Sequence, residues 1–344
     1  MLQLSNTTPF ITDIGIFPDK EGIDSVVAVI KATFDILPDR ICVSKNQLPV
    51  IKADEYWGEP GKSSLKYASE ITLPKPFTDI VMISHAYSSG KNPVYVSLMV
   101  GHYAKTVIVF GERYWNAALG IHSISDPRPF IKIPLIYENA FGGTDIYRSD
   151  ANRMDYESKN PVGCGFKSKK GRKEIDGLRL PNIEDPQNLI NSWRDRPVPA
   201  GFGYIAPSWE SRIRFTGTYD LAWQKNRAPY LPKDFDYRFF NCAQPDLITR
   251  EHLKGGEKIV IKNATPDETV AYRLPKIRFE FFFIIDGKLI LREPDLDTLI
   301  LEPDHNRFSV IWRTCQPCDK KILKIQTIGI QCIESDIDLG TNET

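Results

Sequence analysis

The chain has 344 residues, and its 44 basic side chains are balanced by 44 acidic ones. It therefore lacks the positive excess that general binding to nucleic acid or to an anionic membrane surface requires. With 42% hydrophobic and 11% aromatic residues it has the composition of a folded protein, long enough to bury a core without staples. The opening MLQLSNTTPFITDIG shows no basic segment followed by an apolar one, and no apolar run approaches the roughly 20 residues that span a bilayer. A soluble cytoplasmic protein without membrane insertion is expected.

Residues 25–34, SVVAVIKATF, are β-branched and apolar, which predicts a strand buried on both faces. Residues 80–85, 94–100 and 105–110 follow as strands, separated by turn signals at Ser88-Ser89-Gly90 and at Gly101. Within 94–100, Val94, Val96, Leu98 and Val100 alternate with Tyr95, Ser97 and Met99, the pattern of a half-buried strand. The first 115 residues read as an antiparallel sheet folded on itself.

From 121 to 250 prolines recur and no helical or strand period holds, so long regular elements are excluded from most of the region. A short helix is predicted at 185–194, with Asp185 as N-cap and Pro186 at the first helical position. The lysine-rich KSKKGRK at 167–173 reads as a solvated loop. Strand composition returns at 258–262, 278–285, 288–292, 298–302, 308–313 and 321–330. Asp286-Gly287, between two of these runs, is the strongest hairpin signal in the chain. The fold class expected is mainly β: antiparallel sheets in a sandwich- or barrel-like body, with few short helices. One domain over 1–330 would comprise a β part (1–120), an irregular Pro-, Gly- and aromatic-rich insert (121–250) and a second β part (251–330). Residues 331–344 read as a polar tail.

The chemistry-bearing residues are dispersed. No G-x-S-x-G, H-E-x-x-H, Walker or dinucleotide-binding pattern occurs, and Gly163-Cys164-Gly165 reads as a tight turn. The six cysteines show no disulfide framework. Cys315-x-x-Cys318 lacks two further ligands at matched spacing, so free thiols are expected. His85, His102, His122, His252 and His305 stand singly and read as hydrogen-bonded structural residues. No metal or other cofactor is implied. The densest stretch is 199–246, in which Trp, Tyr and Phe crowd together with arginines and carboxylates. Asp220, Asp234 and Asp236 among these rings could line a sugar cleft, or could cap backbone N–H groups and pair with Arg212, Arg214 or Arg238. Clustered Trp, Tyr, Phe and Arg also suit a protein-binding surface, for which Trp209, Arg212, Trp223, Tyr237, Phe239 and Phe240 are the candidates.

The order of motifs adds a resemblance. Val29 to Phe34 (VIKATF), Asp79-Ile80-Val81 with His85-Ala86-Tyr87, and Val100-Gly101 with Lys105 to Trp115 are similar to successive motifs of a bacterial family, domain of unknown function 2169. His85 stands near the family's usual glycine and Glu112 replaces its common Asp. The likeness continues through PFIKIPLIYENAFGG at 129–143, Asn160 to Phe166 and Leu180 to Glu184. It extends over Pro199 to Gly203, Trp209 with Arg212, Asp220 with Trp223, Pro229, and Pro232 to Phe240, and ends with Leu301 to Asp304 and Trp312-Arg313. The resemblance implies a cytoplasmic, non-enzymatic adaptor or chaperone of a Gram-negative bacterium. Its partners would be a type VI secretion toxin effector and the VgrG spike or its PAAR tip. The competing expectation is a carbohydrate-active enzyme or sugar-binding module using Asp220, Asp234 and Asp236.

Overall fold

A computed structural model describes residues 3–118, 121–147, 150–168 and 175–339. Three sheets dominate it. The first has Ile11–Pro18, Asp24–Ile36, Arg307–Pro317, Asp295–Glu302 and Asp79–Met82 side by side, with Ile41–Val43 also paired to Asp24–Ile36. The second runs Ile183–Glu184, Tyr103–Val109, Val94–Val100, Lys258–Lys262, Thr269–Arg273. The third runs Gln3–Asn6, Ile325–Ser335, Ile277–Ile285, Lys288–Arg292. The protein is mainly β, as expected, and among the described residues none of its sheets closes into a barrel.

The first 115 residues do not form a sheet of their own. Asp79–Met82 lies parallel to Asp295–Glu302, Val94–Val100 pairs with Lys258–Lys262, and Gln3–Asn6 lies parallel to Ile325–Ser335. Residues from both halves of the chain thus meet in each sheet. One apolar core joins the sheets. Phe308 of the first stacks on Tyr272 of the second at 5.2 Å, and Trp312 meets Phe279 of the third edge-on at 5.0 Å. Asp24–Ile36 is buried on both faces because it lies inside this assembly, which explains its unbroken apolar run. Ile277–Ile285 alternates instead, with Ile277, Phe279, Phe281, Phe283 and Ile285 turned to the core. At the hairpin that follows, Asp286 and Gly287 both take positive φ, 54° and 73°, the backbone a type I′ turn needs.

Two boundaries differ from expectation. The last strand reaches Ser335, where Gln331 to Ser335 pair with Ile277 to Glu280, so the tail begins later than residue 331. Its start shifts too: residues 319–324 form a 3₁₀ turn, and the strand begins at Ile325.

Between 121 and 250 the described residues carry only short elements, and a satellite core of Trp115, Phe141, Ile175, Leu180, Ile190 and Trp193 holds part of them. The helix predicted at 185–194 does not form. Glu184 Oε2 takes the Ile190 N–H at 2.8 Å, and Asp195 Oδ2 takes those of Asn191 and Ser192, so side chains consume the donors a helix would use. The α-helices among the described residues are Glu210–Ile213 and Leu221–Asn226, the second capped by Asp220. In the lysine-rich loop, Lys167 is buried against Asp145 Oδ1 at 2.7 Å rather than solvated, while 169–173 lie outside the described residues.

Candidate functional site: an arginine-rimmed groove

The aromatic-rich segment is fastened to the core by its buried rings. Phe202 and Tyr204 are fully enclosed, and Trp209 packs edge-on against buried Tyr137 at 5.3 Å. Trp209 ends the extended run and begins the turn Glu210–Ile213, which carries Arg212 inward. The Arg212 guanidinium is buried. Its Nη1 donates to the Ile205 carbonyl at 2.7 Å, and Nε and Nη2 donate to the Phe239 carbonyl at 3.1 and 2.9 Å. One side chain therefore fixes the distance between two separate parts of the segment.

A second pin lies beneath. The carboxylate of Asp79, at the start of a strand of the first sheet, accepts the Lys75 ammonium at 2.7 Å and Asn241 Nδ2 at 3.1 Å. It also accepts the backbone N–H groups of Cys242 and Ala243 at 3.0 and 3.2 Å. Burial alone would raise this carboxyl, but the Lys75 charge and the converging donors hold it below its ordinary value. For Lys75, burial opposes the charge; Asp79 outweighs it and lifts the ammonium to about 12. Thr249 adds a further tie, donating its N–H to the Thr78 carbonyl at 3.0 Å and accepting that of Thr78 at 2.9 Å.

Between these pins opens a groove of about 310 Å³. Phe77, Ile205, Phe215, Ala243 and Ile248 give it an apolar lining, and Arg212, Arg214, Arg238 and Arg250 stand around it. The guanidinium carbons of Arg214 and Arg238 lie 4.7 and 4.6 Å from the centre of the Phe215 ring. Among the described residues no acidic side chain lines it. Asp236 is occupied by Arg238 Nε at 2.8 Å, and Asp246 by Lys105 Nζ at 2.7 Å.

Of the six residues expected to contact a partner, only Arg212 lines this groove, and it is largely buried. Trp209 is a core residue, which corrects its reading as a surface anchor. Phe239, Phe240 and Tyr237 are half-buried around Phe235 and support the wall from behind. Trp223 belongs to the Leu221–Asn226 helix, half-buried, with its indole N–H on the Tyr230 carbonyl at 2.9 Å. Sequence reasoning missed Phe215 and Arg250; Arg214 it took as a partner for an acid or, with the rest of Trp209 to Arg214, as an anchor for a protein. The alternation Arg212, Arg214 beside Phe215 was the available signal, but dense aromatic rings overshadowed it.

Asp220, Asp234 and Asp236 are committed locally. Asp220 accepts the Trp223 N–H at 2.8 Å as a helix cap. Asp234 accepts the Thr218 N–H and hydroxyl at 3.0 and 2.7 Å, bonds that lower its pKa. Gly217, with φ of 76°, allows that approach, since a Cβ there would stand 2.7 Å from Asp234 Oδ1. Asp236 is lowered chiefly by its bond from Arg238. Neither Asp234 nor Asp236 has the raised pKa of a general acid. Cys318 donates to the Asp24 carbonyl at 3.2 Å, and among the described residues no three His, Cys, Asp or Glu side chains gather as metal ligands.

A family model described as "uncharacterized protein conserved in bacteria (DUF2169)" matches residues 21–313. The chain belongs to this family. No curated protein and no solved structure matches it. Several polar residues of its DUF2169 motifs are buried pins. Lys31 pairs with Glu70 at 2.6 Å, Arg313 with Asp297 at 2.5 Å, and Asp79 with Lys75. Glu302 accepts from Tyr67 and Arg307, while Asp304 accepts from Tyr87 and contacts His85 Nδ1 at 2.7 Å. Lys31, Asp79 and Asp304 thereby tie strand and loop residues together, and Arg313 joins two strands of the first sheet.

Proposed function

We propose that this DUF2169 protein is a non-enzymatic adaptor or chaperone. It binds a type VI secretion toxin effector in the bacterial cytoplasm and helps load it onto the VgrG spike or PAAR tip. The secretion context comes from the family resemblance. The observation that carries a binding role is the groove: an apolar floor rimmed by four arginines and held rigid by Arg212 and Asp79. Apolar anchoring sites with arginine at the rim suit protein recognition. At about 310 Å³ it is at the small end of the roughly 300–1,000 Å³ of ligand sites, a size for an anchored side chain.

The sugar-cleft reading has less support, because Asp220, Asp234 and Asp236 each satisfy local donors. Affinity purification of the tagged chain from its native host under secreting conditions tests the adaptor reading. Co-recovery of a toxin or spike component at near-stoichiometric yield is expected, and recovery of the chain alone would sink it.

A further inference from the structure

The charge around the groove is unbalanced although the whole chain is neutral. Arg238 has its carboxylate in Asp236. Arg212 does not: among the described residues its three hydrogen bonds all go to backbone carbonyls, leaving two of the five N–H donors of a guanidinium unspent. Arg214 and Arg250 have no carboxylate partner among the described residues, and both are exposed. Three uncompensated guanidinium groups therefore surround an apolar floor. Guanidinium is weakly hydrated and presents paired donors matched to a carboxylate, so it gives up water for an acid at little cost.

From this charge complementarity we infer that the groove takes an acidic peptide segment whose apolar side chain sits between carboxylates. The apolar side chain, Leu or Phe, fills the space over Ile205, Phe77 and Ile248. Flanking Asp or Glu side chains reach Arg214 and Arg250, and their field offsets the buried Arg212 charge. The inference deepens the adaptor reading and rests on it for the segment's source in a protein partner. A nucleic acid fits less well. Phosphate backbones are held by rows of exposed charge, and they would leave the apolar floor without an occupant.

Fluorescence anisotropy of the full chain with short labelled peptides tests this. One peptide carries Leu flanked by Asp and Glu, a second has Ser in place of Leu, and a third has Lys in place of the acids; a single-stranded oligonucleotide is the fourth probe. The first should bind about tenfold or more tighter than each of the others, and added salt should weaken it. Arg214→Glu with Arg250→Glu should cut that affinity by at least about tenfold, with an unchanged circular dichroism spectrum, because both side chains are exposed. Equal binding of the Leu and Ser peptides, tighter binding of the oligonucleotide, or no effect of the double reversal would overturn the inference. If the reversed chain still recovers the wild-type partner from the host, the adaptor reading stands and docking lies elsewhere. If the acidic peptide binds but no partner is ever co-recovered, the groove chemistry stands and the adaptor reading falls.

Discussion

Asp79 and Lys75 meet at 2.7 Å in the interior, and the same carboxylate holds the backbone N–H groups of Cys242 and Ala243. One side chain thereby ties the groove floor to the first sheet, alongside the Thr249–Thr78 bonds. Removing one member of a buried ion pair strands the other, at a cost of about 3–5 kcal/mol. Asp79→Ala should lose stability of that order in urea unfolding and also weaken binding of the acidic Leu peptide. A loss under about 1 kcal/mol would mean that the pin is not needed.

The pair also sets a pH dependence. The folded-state pKa of Asp79 lies below its ordinary value, so its contribution is complete above the unfolded-state pKa near 3.8 and disappears as pH falls through the folded value. Glu70 has the opposite sign: burial raises its pKa despite Lys31, so it withdraws stability as pH rises through its own window. Asp79→Asn isolates the first effect. The stability gap between wild type and Asp79→Asn, read from urea midpoints, should be widest near neutrality and narrow below about pH 4. A gap that stays constant with pH would assign the loss to shape alone.

Cys242 reports on the same loop. Burial, and next the Asp79 charge, push its thiol up to about 12, although Lys75 and Arg212 pull the other way. Alkylation needs the thiolate. At pH 8 the folded protein should leave Cys242 unmodified by iodoacetamide in peptide mass spectrometry, and denaturant should expose it. Rapid modification without denaturant would show that the loop opens away from Asp79.

The sequence made the strands legible where local pattern and burial agree. Residues 94–100, 258–262 and 288–292 appear with the predicted bounds, and Asp286-Gly287 turns as its dipeptide demands. Which strands pair was not legible, because Asp79–Met82 finds its neighbour more than two hundred residues away, beyond any periodicity. The helix expected at 185–194 failed because Glu184 and Asp195 compete for its N–H groups, a contest that depends on where the chain folds. The groove was hidden for a related reason. Arg212, Arg214, Arg238 and Arg250 span nearly forty positions and converge only in the folded chain, whereas the conspicuous rings beside them serve mainly as support.

Trp209 and Trp223 separate support from surface most sharply. Trp209 is 4% exposed and packs edge-on against Tyr137 at the entry to the Arg212 turn. Trp223 is half-buried, on a short helix outside the groove lining, with Tyr219 at 4.6 Å as its ring partner. Truncating a buried indole leaves a cavity and costs about 3–5 kcal/mol. Trp209→Ala should therefore lower stability by that amount and weaken peptide binding indirectly, by loosening the turn that positions Arg212. Trp223→Ala should cost about 1 kcal/mol or less and leave binding of the acidic Leu peptide unchanged. Paired urea unfolding and anisotropy titrations check both. If Trp223→Ala abolished binding while Trp209→Ala left stability intact, the segment's exposed helix would be the contact surface and the groove would not.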